Sequence, residues 1–437
     1  MAEAMKGRGV SRRQLIKNTA LVGGAAALGL PMPSILRAQE TAIKIGYITS
    51  ISGPRATFSE PAEYNVNKIK ALFKDGLEIG GKKYPIEILM RDQQSNPTRA
   101  GEVGRDLITQ DKVDILLADD GDSHFAAGEI ADQQGVPFVS TINQWEPFIF
   151  ARNSTPDKGY PWSFMFAFGA TDVAKTYVGL WDSLPTNKKI GLLFLDIPPG
   201  HAFGSTENGI PAFLKQKGYN VVDGGFVRFD SDDFSSQIAM FKEASCDIVA
   251  GFLLDSHFQT FWGQAVQSGF MPKVVTFAGP FLFPTSLVAL GDQGDGMSGE
   301  VWWTPDVPFK SSLTGQTARE IANDWENETG LQWTQPLGYM HALYEVGVAA
   351  LRHAKDPRDK EGIREGIRQM ALDTVVGPVN FRDSKIKSVA VTEVAMGQWR
   401  KTAEGSKFPY EFDTVYADPV LAPNLKPNAK MRLLGEG

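Results

Sequence analysis

Asp119-Asp-Gly-Asp-Ser-His124 packs three carboxylates, a hydroxyl and an imidazole into six residues. Further on, Asn143-Gln-Trp145 adds two amides and an indole. Carboxylates, amides and aromatic faces are the groups that hold a small polar organic molecule, by hydrogen bonds, charge pairing and cation–π contact. They are not arranged for catalysis. The five histidines are scattered, with no His-x₃-His or similar metal spacing. No Gly-x-Gly-x-x-Gly follows the first strand, and neither a P-loop nor a Gly-x-Ser-x-Gly elbow is present. Neither metal, cofactor nor enzymatic activity is expected. Asp119, Asp120 and Asp122 also suit the cap and first turn of a following helix. That is the reading taken for Asp119, while Asp122 stands between cap and cleft.

These groups must be positioned by the elements around them. Val113–Ala118 is a short apolar run, Phe125–Gln134 has helical spacing ended by Gly135, and Val136–Ser140 is a second apolar run. Strand, polar loop, helix, strand, polar loop make a βαβ unit with its polar residues at the carboxyl ends of the strands. Open parallel sheets bind ligands there, and the helix aims free backbone N–H groups at the same place. Upstream, strands at 42–49 and 84–91 alternate with helices at 60–73 and 98–110. This order predicts a doubly wound parallel sheet. After an irregular stretch at 148–163, the pattern repeats with strands at 189–195, 220–226, 247–254 and 273–278. Helices at 315–329, 336–354 and 360–370 and strands at 373–381 and 389–399 return and close the structure. Residues 408–437 read as a Pro-rich surface tail.

The N-terminus carries a different message. Ser11-Arg-Arg-Gln-Leu-Ile-Lys17, the apolar Leu21–Leu30 and Leu36-Arg-Ala38 have the order of a twin-arginine export signal with its cleavage site. The apolar stretch is too short to span a bilayer. The 437-residue chain has a formal charge of −7; removing the six Lys/Arg and one Asp/Glu of residues 1–38 leaves 38 basic and 50 acidic residues, a net of −12. That balance argues against nucleic acid and anionic membrane as partners. The single cysteine, Cys246, rules out an intrachain disulfide and reads as a core thiol. An exported, periplasmic protein without membrane insertion is expected.

Several segments together resemble the periplasmic solute-binding proteins of ABC importers, of the leucine-binding-protein-like, type I kind that takes branched-chain amino acids and amides. They are Ile45-Gly-Tyr-Ile-Thr-Ser-Ile-Ser-Gly-Pro54, Arg91-Asp92 ahead of Asn96-Pro97, Gly135-Val-Pro-Phe-Val-Ser140, Phe203-Gly204 and Asp373-Thr-Val-Val-Gly-Pro-Val-Asn-Phe-Arg382. The resemblance covers about residues 42–400. It implies an α/β fold of two doubly wound parallel-sheet lobes joined by three crossings, with a ligand cleft that closes like a hinge. The expected division is 39–164 with 304–372 in lobe 1 and 165–303 with 373–407 in lobe 2. It also implies site residues. Arg55 and Phe58 would cover the ligand; Asp120, Gly121, Asp122 and Ser123 would supply polar groups; Asn143, Gln144 and Trp145 would follow from the next loop; and Phe203 would line the second lobe.

The departures from that family bear on the ligand. The second-lobe loop at Gly279-Pro280 continues with Phe281 rather than an acid, and the Ser/Thr-rich carboxylate loop has become Asp-Asp-Gly-Asp-Ser. Asp255, just past the 247–254 strand, is left to meet an amine. Carboxylates among Phe58, Trp145, Phe203, Phe281 and one of Trp302 and Trp303, with Trp303 favoured, suit an amine or amide. Arg55 could instead grip a carboxylate. The expected function is capture of a small amino-acid-derived, amine or amide solute by a monomer, for delivery to an inner-membrane ABC permease. A ligand sensor for a membrane receptor, or a twin-arginine-exported enzyme, is the alternative.

Overall fold

The computed structural model describes residues 42–435; the export-signal reading of residues 1–38 lies outside them. In chain order the strands are β1 (Ile43–Thr49), the hairpin β2 (Leu77–Ile79) and β3 (Lys82–Tyr84), β4 (Ile86–Asp92), β5 (Ile115–Ala118), β6 (Phe138–Ser140) and β7 (Ser163–Ala167). A second series follows: β8 (Lys189–Leu195), β9 (Asn220–Val227), β10 (Ile248–Phe252), β11 (Val274–Ala278) and β12 (Ser298–Val301). The chain ends with the hairpin β13 (Ala371–Thr374) and β14 (Gly377–Asn380), then β15 (Val389–Val391), β16 (Ala395–Lys401) and β17 (Tyr410–Tyr416).

Two sheets result. The first, ordered β15-β7-β6-β5-β1-β4, is parallel throughout. The second is ordered β17-β16-β12-β11-β10-β8-β9, parallel from β9 to β12 and antiparallel at β16 and β17. Helices cover the parallel strands, so β5 (Ile-Leu-Leu-Ala) and β10 (Ile-Val-Ala-Gly-Phe) are buried at every residue. Strands buried on both faces read as unbroken apolar runs, which is why these were legible. Strand order reverses between β1 and β5 in the first sheet and between β8 and β10 in the second. The loops leaving those four strands diverge and open a crevice at the carboxyl edge of each sheet.

Three crossings join the lobes: Phe168-Gly169 after β7, Trp302-Trp303 after β12, and Thr392–Val394 between β15 and β16. The helix Gln335–Ala354, buried along nearly its whole length, ties two of them together. The Gln335 side chain accepts from the Trp302 and Trp303 amides at 2.7 and 3.2 Å and donates to the Glu300 carbonyl at 2.9 Å. Tyr339 on the same helix shares a 2.7 Å hydrogen bond with Thr392.

The sheets divide the chain differently from the expected boundaries in three places. Ser163–Ala167, at the end of the stretch read as irregular, is a fully buried strand of the first sheet. β15 also belongs to the first sheet, and the hairpin before it docks on the first lobe, with the Val375 amide donating to Glu345 at 3.0 Å. Tyr410–Tyr416, expected in the tail, is an edge strand on β16. Its alternation of Tyr410 and Phe412 inward with Glu411 outward is that of a half-buried edge. The flanking prolines had masked that period of two.

Candidate functional site

The loop after β1 turns at Gly53, whose φ of +90° and whose neighbours, Gln94 O and Ser95 Oγ at 2.7 Å from any added Cβ, leave room for glycine alone. That turn brings Arg55 over the end of β5. Its amide donates to Ser95 Oγ at 3.1 Å, and its guanidinium pairs with Asp120 while lying 4.7 Å over the Phe58 ring. Asp120 is wholly buried and also accepts from Ser50 Oγ and from Gln93 Nε2, the latter at 3.1 Å. Below it Asp119 accepts from Tyr47 and Thr49, and burial pushes its carboxyl up to about 8. Neither acid's side chain caps the helix Gly121–Gln134. The cap reading of Asp119 gives way to a buried network, because the helix starts at Gly121 with Asp120 in the N-cap position, which leaves Asp119 one residue before the cap and on Tyr47 and Thr49.

Gly121 opens that helix against the Asn143 amide and the Arg55 guanidinium, which an added Cβ would meet at 3.1 and 3.4 Å. Around these residues lie three adjoining cavities of about 550, 170 and 30 Å³. Their linings share Pro54, Arg55, Phe58, Asn143, Pro199, Phe229, Leu254 and Gly279, which makes them compartments of one interlobe cleft. Its size is that of ordinary small-molecule sites.

The outer compartment sets Thr57 and Phe58 of the first lobe against Phe229–Asp232, Asp255–His257 and Phe283 of the second. Asp255 accepts from Ser286 Oγ at 2.7 Å, and burial raises its carboxyl to about 6. The middle compartment holds Arg55, Gly121 and Asn143 opposite Ile197–Pro199. The innermost one is closed by Gln144, Phe168, Phe252, Glu300 and Trp302. Glu300 is raised to about 7 by burial and accepts from Tyr177 at 2.6 Å. Gln144 Oε1 is buried here with no partner among the described residues, and the Trp302 side chain faces the Glu300 carboxylate. A buried acceptor left open costs stability unless a ligand meets it.

Of the residues expected at the site, Arg55, Phe58, Gly121, Asn143, Gln144 and Asp255 line this cleft. Asp120 stands behind Arg55. Ser123 turns away, its hydroxyl donating to the Asp120 carbonyl at 2.5 Å. Asp122 lies in the first turn of the helix, and its side chain is outside the described part of the structure. Trp145 packs at the first crossing, beside Gly169 and Phe150. Phe203 is a layer back, stacked at 5.6 Å on Phe252. Phe281 is in the second-lobe core, 4.7 Å from Phe258, its carbonyl accepting from Trp399. Trp303 packs on Gly338 and Trp333, and it is Trp302 that reaches the cleft. A residue on a strand alternates faces, so choosing the wrong neighbour reverses the direction.

Pro198, Pro199, Phe229–Asp232, His257 and Phe283 were not anticipated. All lie just beyond the carboxyl ends of β8, β9, β10 and β11. The strand-end rule that located the first-lobe loops would have found them, had it been applied to every second-lobe strand.

A family model described as periplasmic binding protein matches residues 42–405. Among solved structures, the chain resembles a leucine binding protein of Thermotoga maritima, at 18% identity and a TM-score of 0.69 over 87% of this chain and all of that one. It also resembles an ABC-transporter solute binding protein of Rhodopseudomonas palustris in complex with 3,4-dihydroxybenzoic acid, at 18% identity and 0.66, over 87% and 99% of the two chains. A third, from R. palustris in complex with benzoate, matches at 16% identity and 0.67, over 88% and 100%. At such identities the likeness is one of fold.

Proposed function

The chain belongs to the periplasmic binding protein family, and from that premise we propose that it is the solute-binding component of an ABC importer. It captures one small organic molecule between its lobes and presents it to an inner-membrane permease. The observation that carries this reading is the single cleft that Arg55, Asn143 and Gln144 enter from one lobe and Asp255 and Phe229 from the other. A molecule touching both sides makes contacts that only the closed state offers, so binding shifts the population toward closure. Export by the twin-arginine route, a monomeric state and a non-catalytic role belong to the same proposal.

The ligand we favour carries an amine or amide, as an amino-acid derivative does. Asp255 in the outer compartment and the open Gln144 oxygen in the inner one are acceptors for N–H groups. Phe58, Phe229, Phe252 and Phe283 offer faces for its apolar or cationic part. A second reading, an aromatic carboxylate, is favoured by the Arg55 guanidinium in the cleft among those rings. Three of the similar structures hold acids of that kind.

A thermal-shift screen of the exported chain against amino acids, amines, amides and aromatic acids separates the readings. Ligand bound to the folded form raises the melting temperature. Amines or amides are expected to do so. A shift confined to aromatic acids would select the second reading, and conversion of a bound compound to product would contradict the binding role.

A further inference from the structure

At the end of β7 remote from the cleft lies another cavity, of about 300 Å³. Phe164, near the start of β7, lines it, whereas Phe168, just past the end of that strand, lines the cleft. Four residues of extended chain separate the two, roughly 13 Å. Its walls carry Lys158, Arg368, Arg382 and Lys387, with no carboxylate in the lining. Asp383 pairs with Arg382 at 3.1 Å, while Lys158, Lys387 and Arg368 form no ion pair among the described residues. Four cations around one hollow stand out on a chain whose formal charge is −7.

The segments bearing these cations are fastened to one another. The Tyr160 amide donates to Ser388 Oγ at 2.8 Å, and that hydroxyl donates to the Tyr160 carbonyl at 3.0 Å. The Lys387 amide donates to the Pro156 carbonyl at 2.6 Å, and Arg368 donates to the Pro161 carbonyl at 3.2 Å. Gly159, at φ +62°, would bring a Cβ within 2.6 Å of Ser388 Oγ. The backbones cannot drift apart to relieve the repulsion, which a concave wall strengthens. A bound anion relieves it.

We infer that this cavity is a second binding site, for a multiply charged oxyanion of the phosphate class. Arg368 supplies a planar guanidinium and Lys158 and Lys387 point charges, while Arg382 adds a cation whose fork is engaged by Asp383. Tyr160 and Phe381 leave an apolar floor for an attached organic group. The same chemistry occurs in free phosphates and in the headgroups of anionic lipids.

The test titrates the exported chain with pyrophosphate by calorimetry at low salt, and in parallel measures co-sedimentation with phosphatidylglycerol vesicles. Arg368→Gln/Lys387→Gln, at two exposed positions, is the comparison, with its melting temperature as the control for folding. Binding in either arm that weakens at least tenfold in the double variant supports the site; the arm that responds identifies the source. Equal binding by the variant, or no binding in both arms, overturns it.

Discussion

Arg55 reaches from the loop after β1 to Asp120 at the end of β5, bridging the two strands between which the order of the first sheet reverses. The Arg55 side chain is 15% exposed and that of Asp120 fully buried, so the pair sets one wall of the cleft with only its cation reaching the cavity. Asp120 holds the guanidinium over Phe58 at the wall of the cleft.

Asp120→Ala removes the carboxylate paired with a largely buried cation. Breaking such a pair from one side costs about 3–5 kcal/mol. Chemical denaturation of the apo protein is expected to show a loss of that order, with weaker solute binding as Arg55 loses its position. An unchanged denaturation midpoint would mean that Arg55 finds an equivalent partner.

The two adjacent tryptophans are expected to behave differently. Trp302→Phe deletes an indole N–H that lines the inner compartment beside Glu300 while keeping most of the ring. A hydrogen bond to the solute is worth about 0.5–1.5 kcal/mol, roughly a two- to tenfold loss of affinity. Trp303→Phe, in the packing against Trp333, leaves affinity unchanged. The reverse pattern in a calorimetric titration would place Trp303 at the ligand.

Burial raises the carboxyls of Asp255 to about 6, of Glu300 and Glu345 to about 7, and of Asp119 to about 8. Unfolded carboxyls titrate near 4. The folded state therefore binds more protons than the unfolded state through this range, and stability falls as pH rises through 6 to 8. His124 and His341 act in the opposite sense, lowered by burial to about 3 and 4, and their contribution is lost as pH falls below about 6.5. Four acids outweigh two histidines. The apo protein is expected to melt at a higher temperature at pH 5.5 than at pH 8, and Asp255→Asn, Glu300→Gln and Glu345→Gln should flatten that difference. A higher melting temperature at pH 8 would contradict these shifts.

How much of this could be read from residues alone follows from what burial does to a pattern. β5 and β10 were visible because strands covered on both faces are apolar without interruption. Asn143 and Gln144 could be placed because they follow a strand whose carboxyl end must share an edge with its neighbours, whereas Arg55 and Phe58 were placed by the family resemblance. β7 and β17 were hidden beside prolines and aromatics that suggested loops. Phe203 and Phe281 were misplaced because an aromatic at a strand end packs inward as readily as into a cleft, and only their partners, Phe252 and Phe258, decide which. The basic cavity joins positions 158, 368, 382 and 387, whose separation in the chain hides their meeting.

The most direct test of interlobe capture is calorimetric titration of one solute into the native chain, Asp255→Asn and Gln144→Leu. The two substitutions lie on opposite lobes, yet the account predicts a single site per chain whose affinity drops at least severalfold in both variants, each removing one charge or hydrogen-bond contact. A solute whose binding is indifferent to one lobe's substitution, or that binds at two equal sites, would contradict capture in a shared cleft.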